Sequence, residues 1–245
     1  MKLTTLLAVS ALGLAAQTSF ADPLLAIPGK VILDAKLDGG LAEPFKAAKG
    51  KWEASDGALR GSELEADMHG AVMRANKELA DFILEVEVKF DGAKSTTLTV
   101  NAKKDHMARV VITPTMVTVQ RDDNDHEGPD KAVVFHRVKA DLKPGEWHKV
   151  RMEMVGDTML GQVDGITGWG SNDLFKQARF NPGVTVAGQS VLFRNFKITE
   201  ATKNPKWDEL KATIKNEVAP AAAPAAGAAK GKGKGKGKAK AKSEK

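Results

Sequence analysis

Hydrophobic and polar residues alternate with a period of two through most of the chain, and this alternation predicts β-strands. The clearest segment runs from Asp81 to Phe90, where apolar side chains at every second position point to one face. Leu142 to Gly165 has the pattern of a turn, a strand, a tight reversal at Gly156-Asp157 and a second strand. No helical period separates these segments. The pattern therefore predicts an all-β fold, an antiparallel sandwich or jelly roll.

Shorter alternating segments predict the remaining strands, and one helix is predicted near the end of the chain. The helix is expected at residues 204–218, with Asn204 as its N-cap. Trp207, Leu210 and Ile214 fall on one face of it, so we expect Trp207 to be its main buried anchor. The further predicted strands lie at residues 52–54, 58–62, 70–74, 97–101, 109–112, 116–121, 133–138 and 191–198.

The first residues have the pattern of a signal peptide, predicted at residues 1–21. Lys2 supplies a positive charge, residues 3–16 are apolar, and Ser19 and Ala21 are the small residues of a cleavage site. The apolar run is too short to span a bilayer. The pattern predicts a periplasmic or extracellular protein that is cleaved near Ala21.

Composition changes sharply after residue 218, and the last residues, 219–245, form an Ala/Pro segment followed by a Lys/Gly segment that cannot build a core. The chain has a net charge of +6, but its last 27 residues contain eight Lys and one Glu, or +7. Without this tail and Lys2, the remainder has 6 − 7 − 1 = −2. Polyanion or envelope binding without sequence readout is therefore predicted for the tail alone, at Lys230, Lys232, Lys234, Lys236, Lys238, Lys240 and Lys242.

The chain has no cysteine, which excludes disulfides, cysteine-ligated metals and a thiol nucleophile. An exported domain of this kind must be held together by its core alone. Residues 22–203 are enough for one jelly-roll β-sandwich domain with a single core.

Several motifs, read in order, resemble the 3-keto-disaccharide hydrolase domain family, a concanavalin-A-like jelly roll similar to family 16 glycoside hydrolases. The motifs are "KWEASDGALRG", "DFILEVEVKFDG", "KPGEWHKVRMEMVGDTMLGQVDG" and "VLFRNFKI". The resemblance covers about Leu33 to Thr199 and implies an exported bacterial protein that handles carbohydrate. These motifs are mostly turns and core positions, so they are specific for the fold.

The segment "STTLTVNAKKDHMARVVITPTMVTVQRD" departs from that family. It lacks the family's Asn-Ser-Gly and Tyr-Glu/Gln-Asp patterns, whose polar residues line the concave face. This divergence favours a carbohydrate-binding domain with a cationic tail. The alternatives are an active hydrolase of glycosides or 3-keto-disaccharides, and a structural envelope-associated protein.

Two acidic residues are candidates for catalysis. Glu85 and Glu87 alternate onto one face of a strand, roughly 6–7 Å apart. This separation falls between those that retaining and inverting glycosidases use for their carboxylate pairs. Lys89 continues the same face, however, and alternating charge is typical of the solvated side of a strand.

The loop after residue 121 is rich in oxygen ligands. Asp123, Asp125 and Glu127 match the first half of a calcium loop, although Val134 stands where the closing Glu is needed. An acidic hairpin tip is the alternative interpretation, and no other cofactor is indicated.

Four residues are candidates for ligand binding. Trp169 lies between glycines in a predicted loop, where an aromatic ring can stack on a sugar or fold back on the sandwich. Asn101 and Arg109 lie on predicted strands in the region that diverges from the family. His136 is expected either to face a groove or to lie on the strand surface.

Overall fold

β-Strands make up most of the chain that the computed structural model describes, residues 20–123 and 131–221. One α-helix, α1, spans Trp207–Lys211, and two 3-10 turns lie at Glu65–Asp67 and Asp173–Lys176. The fourteen strands are β1 Ala26–Ala35, β2 Phe45–Lys49, β3 Lys51–Ser55, β4 Ala58–Ser62, β5 Ala71–Ala75, β6 Glu78–Leu79, β7 Phe82–Asn101, β8 His106–Thr113, β9 Met116–Arg121, β10 Val133–Lys139, β11 Trp147–Val155, β12 Thr158–Val163, β13 Ile166–Ser171 and β14 Arg179–Lys203.

The two longest strands, β7 and β14, pair with each other along almost their whole length. The register shifts in the middle of this pair, where Gly92 and Gly188 adopt positive φ angles of 80° and 96°. Glycine is suited to this position because a side chain would be strained there, and a Cβ on Gly188 would crowd the Lys94 backbone nitrogen. Both strands bend here and continue from one layer of a sandwich into the other.

Two layers result from this bend. Layer A has β13, β12, β11, the first half of β7 and the second half of β14, with β1 and the β3–β4 hairpin beyond it. Layer B has β10, β9, β8, the second half of β7 and the first half of β14, followed by β5 and β2, with β6 at one end of β14. All of these ladders are antiparallel, as the jelly-roll prediction requires.

The main core lies between the layers. A Cβ on Gly161 of β12 would collide with the side chains of Val110 and Val119, so β12 packs directly over β8 and β9. The face of β7 that alternation predicted as apolar is buried in this core, at Phe82, Leu84, Val86, Val88 and Phe90. Each such side chain contributes about 1.5–3 kcal/mol of transfer free energy on burial.

A second, smaller apolar cluster covers the outer face of layer A. It joins the N-terminal segment, layer A and α1, and its buried members are Leu25, Ala26, Ile83, Val155, Leu160 and Trp207. Trp207 is 3% exposed, which confirms it as the anchor of the helix. Leu210 and Ile214 pack against the same cluster.

A buried carboxylate ties the N-terminal segment to layer A. Glu153 is fully buried and accepts hydrogen bonds from the backbone N–H groups of Leu24 (3.2 Å), Leu25 (2.8 Å) and Ala26 (2.9 Å). Beside it, Arg151 donates to the carbonyl oxygen of Ala21. The Glu153 side chain thus supplies the hydrogen-bond acceptors for these backbone N–H groups that a neighbouring strand would supply in a β-sheet.

The secondary structure differs from the sequence predictions at several places. The helix is shorter than the predicted 204–218, because the chain beyond α1 is held by contacts with layer A and β10. Residues 97–101 belong to the same bent strand as 82–90. β13 lies where a loop was predicted, and β1 and β2 were not predicted. β1 is interrupted by Pro28-Gly29, β2 has one buried residue, Phe45, and β13 has glycines at positions 168 and 170, so alternation gave a weak signal in all three strands.

Within the described residues, no helix is both long enough and apolar enough to cross a bilayer.

Burial raises the pKa of Glu153 above its ordinary value, against the opposing effects of the Leu24 hydrogen bond and of Arg151. The native state therefore keeps this proton to a higher pH than the unfolded chain does. Protonation of Glu153 therefore adds to the free energy of unfolding. This contribution is fully present below the pKa of 4.5 that Glu153 has in the unfolded chain, and it is lost as the pH rises through the higher pKa of the folded protein.

Glu153→Gln removes this titration, so its unfolding free energy should fall less with rising pH than that of the unchanged protein. Thermal unfolding of both proteins between about pH 4.5 and 8 measures this difference, and other titrating groups cancel in the comparison. Glu153→Ala leaves three buried N–H groups unpaired and should cost about 3 kcal/mol. If the unfolding free energies of Glu153→Gln and of the unchanged protein varied with pH in the same way, the raised pKa of Glu153 would be contradicted.

Candidate functional site

One row of paired residues crosses the outer face of layer B. Arg74 of β5 pairs with Gly183 of β14, which pairs with Thr99 of β7. Thr99 pairs in turn with Arg109 of β8, which pairs with Gln120 of β9. Directly paired residues of neighbouring strands point to the same face, and the apolar residues next to them along the strands belong to the core. The row therefore presents two arginines with polar neutral side chains on the outer face.

Two residues of β7 on this face carry buried polar atoms that form no hydrogen bond with any described residue. Thr99 is 3% exposed and Asn101 is 6% exposed. Neither Thr99 Oγ1 nor Asn101 Oδ1 has a hydrogen-bond partner among the residues that the structure describes. Each unsatisfied buried polar atom costs about 1–3 kcal/mol, so such atoms require an explanation, and a ligand that supplies the missing partner is one.

Arg74 lies at one end of the row and is half-buried. Its Nε atom is buried and has no hydrogen-bond partner in the described chain. Burial lowers the pKa of Arg74, and the positive charge of Arg109 lowers it further. Two guanidinium groups therefore lie close enough to repel each other on this face.

Arg109 has an acidic partner on its other side. Asp122 is 2% exposed, and its Oδ2 atom lies 2.6 Å from Arg109 Nε. The contact is an ion pair without aligned hydrogen-bond geometry, since neither atom has a hydrogen-bond partner in the described chain. Gln120 Nε2 donates to Asp122 Oδ1 at 3.2 Å, and His106 Nδ1 lies 3.8 Å from Asp122 Oδ2. The charge of Arg109 is thus balanced locally, whereas Arg74 has no acidic partner among the residues that the structure describes.

A row of hydroxyl groups follows on the same face. Thr97 Oγ1 and Thr185 Oγ1 are 2.6 Å apart, and Arg137 Nε donates to Thr118 Oγ1 at 3.4 Å. Thr97 pairs with both Thr185 and Val111, and Val111 pairs with Thr118. The outer face of layer B therefore offers cations and hydroxyl groups together, a combination suited to hydroxylated or anionic ligands.

This arrangement suits binding better than hydrolysis. Among Arg74, Thr99, Asn101, Arg109 and Asp122 there is one carboxylate, and it is paired with Arg109. Glycoside hydrolysis normally uses two carboxylates. Within the described residues, no group of three or more His, Asp or Glu side chains is arranged to hold a metal ion.

The structure separates the four side chains predicted to bind ligand into two pairs. Asn101 and Arg109 lie together on the outer face of layer B, on β7 and β8. Trp169 and His136 lie elsewhere, on β13 and β10.

The predicted loop position of Trp169 is wrong, because the residue lies within β13. Its ring packs edge-on against Trp207 with the centroids 5.4 Å apart, and Lys211 Nζ lies 5.9 Å from its centroid. Asn216 brackets it by accepting from its backbone N–H at 3.1 Å and donating to its carbonyl at 2.7 Å. The flanking glycines serve packing, since a Cβ on Gly168 would collide with the His136 ring. The arrangement favours the fold-back interpretation of Trp169.

His136 is 4% exposed, so it is not a strand-surface residue and does not line the outer face. Its Nδ1 accepts a hydrogen bond from the backbone N–H of Glu217 at 3.1 Å. Burial lowers the pKa of His136, while Glu217 acts in the opposite direction. These contacts hold the segment after α1 on the edge strand β10.

Glu85 and Glu87 share the outer face of layer A, as alternation predicted, but both are engaged in ion pairs. Glu85 Oε1 lies 2.6 Å from Arg151 Nη2, and Glu87 Oε2 lies 2.7 Å from Arg194 Nη2. Asn195 also donates to Glu87, at 3.0 Å. The two arginines thus balance the negative charges of Glu85 and Glu87. The catalytic role of the two glutamates stays a prediction.

The other predicted sites fall at or beyond the limits of the described chain. Asp123 is described, and Asp125 and Glu127 of the calcium hypothesis lie outside the described residues. The tail lysines and most of the predicted signal peptide also lie outside them.

Sequence reasoning missed Arg74, Thr99, Gln120 and Asp122. In the sequence, polar residues alternate with apolar ones at 97–101, and this pattern indicated one strand of the outer face of layer B. Arg74 is 25 positions away from Thr99 along the chain, so only the pairing through β14 brings them together.

Comparisons with known proteins agree with this architecture. The sequence model of the 3-keto-alpha-glucoside-1,2-lyase-like domain matches residues 31–199. No curated protein matches the chain.

Similar solved structures share the fold at low sequence identity. A carbohydrate-binding module, CBM66 from Bacillus subtilis, is 17% identical, with 64% of this chain and 96% of that chain covered and a TM-score of 0.51. SCLam, a non-specific endo-β-1,3(4)-glucanase of family GH16, is 12% identical, with 73% and 96% covered and a TM-score of 0.54. An endo-β-galactosidase from Clostridium perfringens is 10% identical, with 75% and 66% covered and a TM-score of 0.53. At these identities the similarity establishes the jelly-roll fold alone.

Trp169→Ala tests whether this ring is structural. Loss of the partly buried contact with Trp207 should lower the unfolding free energy by about 2 kcal/mol. The affinity for any bound carbohydrate should stay within about twofold. Thermal unfolding and calorimetric titration measure the two effects. A loss of affinity with unchanged stability would support the stacking platform that the sequence suggested.

Proposed function

The chain belongs to the 3-keto-alpha-glucoside-1,2-lyase-like family, and we propose that it binds carbohydrate on the outer face of layer B. Its jelly-roll fold is shared by carbohydrate-binding modules and by glycoside hydrolases, so the family and the fold both point to a sugar ligand. The binding surface consists of Arg74, Thr99, Asn101, Arg109 and Gln120. We call this set the arginine face.

The observation that carries this proposal is the pair of unused polar atoms on β7. Thr99 Oγ1 and Asn101 Oδ1 are buried in the absence of ligand and lack partners among the described residues. Sugar hydroxyls donate and accept hydrogen bonds, so they can satisfy both atoms. Because both atoms are covered in the absence of ligand, the side chains over them must move for a sugar hydroxyl to reach them.

An active hydrolase or lyase is the second candidate, and family membership is what favours it. The arginine face has no paired carboxylates, and Glu85 and Glu87 are on the opposite layer, in ion pairs with Arg151 and Arg194. Catalysis by these two residues would require their ion pairs to open. Binding without bond cleavage is therefore the better-supported function.

Export and polyanion attachment complete the proposal. The N-terminal pattern supports export with cleavage near Ala21, and the lysines from Lys230 onward support attachment to polyanions. Val218 forms a parallel bridge with Arg137 on the edge strand β10, so the tail begins at the edge of layer B. A tail in this position can hold the arginine face near an anionic surface.

Thr99→Val tests the face directly. The change replaces an unpaired buried hydroxyl by a methyl group, so the unfolding free energy should rise by up to about 1 kcal/mol. Affinity for a bound oligosaccharide should fall about tenfold because one hydrogen bond is lost. Calorimetric titration against a panel of neutral and acidic oligosaccharides, together with thermal unfolding, measures both.

Thr158→Val is the matched control, because the Thr158 hydroxyl on layer A is already bonded to Asp157 Oδ1 (2.9 Å) and Ser171 Oγ (2.8 Å). This control should lose stability and keep its affinity. Unchanged affinity of Thr99→Val for every oligosaccharide that binds would place the binding surface elsewhere.

Deletion of residues 222–245 tests the tail and preserves the contact of Ala219 with Arg137. With a DNA duplex as a probe of polyanion binding, log K of the full chain should fall with log salt at a slope of at most about −7. The deleted chain loses a charge of +7 and should bind weakly at any salt concentration. Equal binding by both chains at low salt would show that the tail is not the binding element.

A further inference from the structure

We propose that the carbohydrate bound by the arginine face is acidic, and that a carboxylate on the sugar sits between Arg74 and Arg109. This inference rests on the proposed function and specifies its ligand class. It comes from the spacing of the two arginines, from their unequal charge compensation and from the neutral polar atoms beside them.

The spacing follows from the register of layer B. Arg74 and Arg109 are three strands apart in one row, which is about 14 Å between backbones. Gly183 and Thr99 occupy the two positions between them. Gly183 cannot carry a side chain, because a Cβ there would collide with the Met73 carbonyl oxygen. No side chain therefore lies at position 183 between the two arginines, and the short Thr99 side chain, covered in the absence of ligand, lies next to it in the row.

The charge of the two arginines is unbalanced. Asp122 neutralises Arg109, with 2.6 Å between its Oδ2 and Arg109 Nε. Arg74 has no such partner in the described part of the chain, and its Nε is buried and unbonded. Burial and the charge of Arg109 both lower the pKa of Arg74. The lowered pKa means that the charged form of Arg74 is destabilised at this position. An anionic ligand removes that destabilisation.

The chemistry of the neighbouring atoms selects a sugar acid over a simple anion. A guanidinium group offers a planar pair of donors that matches a carboxylate, and such charge-assisted bonds are stronger than neutral ones. Thr99 Oγ1 and Asn101 Oδ1 are not cationic, and Asn101 Oδ1 accepts hydrogen bonds only. Asn101 therefore requires a donor such as a sugar hydroxyl. A ring that carries both a carboxylate and hydroxyls uses all of these groups together.

The test compares two ligands that share a backbone and differ in their carboxylate charge. Oligogalacturonate and its methyl ester have the same backbone, but the ester has no carboxylate charge. Calorimetric titration of the full chain at about 0.15 M salt should show tighter binding of the acid. Arg74→Gln should weaken binding of the acid about tenfold or more and binding of the ester less than about twofold. Arg74→Lys should recover part of the loss, because it restores the charge without the planar fork.

Arg194→Gln is the matched control, since it removes the same charge from the outer face of layer A, where Arg194 pairs with Glu87. It should leave both affinities unchanged, and the tail is present in every variant, so its contribution cancels. Thermal unfolding should show that Arg74→Gln stays folded, because Arg74 makes no ion pair with described residues.

The outcomes separate the two proposals. Equal weakening for the acid and the ester by Arg74→Gln would overturn the acidic specificity and leave carbohydrate binding standing. Tighter binding of a sulfated oligosaccharide, with the same dependence on Arg74, would overturn the assignment to a carboxylate. No binding of any oligosaccharide would overturn the proposed function itself.

Discussion

The long antiparallel pairing of β7 with β14 holds the two layers of the sandwich together. Each strand runs through both layers, so the β-ladders on either side inherit their register from this one pair. The bend at Gly92 and Gly188 converts one continuous sheet into a sandwich. A side chain that straightened or shifted this bend would displace both layers relative to each other. Gly183 shows the same dependence at the candidate site, because the approach of β5 to β14 leaves no room for a Cβ.

The two outer faces differ in how their polar groups are satisfied. On layer A, Glu153 accepts three backbone hydrogen bonds and Arg151 pairs with Glu85, while the N-terminal segment and α1 cover the surface. That face is used for structure. On layer B, Thr99 and Asn101 are buried without partners among the described residues, and Arg74 lacks a counterion there. A protein tolerates such costs where a ligand offsets them.

Much of the fold was predictable from local pattern. Alternation placed the buried face of β7, the β3–β4 hairpin and the β11–β12 hairpin correctly, since a strand with one buried face must alternate. The same reasoning missed β13, where glycines at the inward positions make room for His136 and Phe135. Glycine has no apolar signal of its own, so the strand looked like a loop. The helix length was overestimated because the Asn216 and Glu217 contacts that follow α1 are tertiary.

Local patterns in the chain were enough to predict the fold class, the acidic balance of the domain against its basic tail, and two members of the candidate site, Asn101 and Arg109. Periodicity and composition are local properties, and they suffice for these conclusions. Three features required the folded chain: Arg74 shares a face with Arg109, Trp169 packs on Trp207, and Glu85 and Glu87 are held in ion pairs. Strand order and register determine these contacts. They join residues far apart in the chain, and no local pattern records which strands become neighbours.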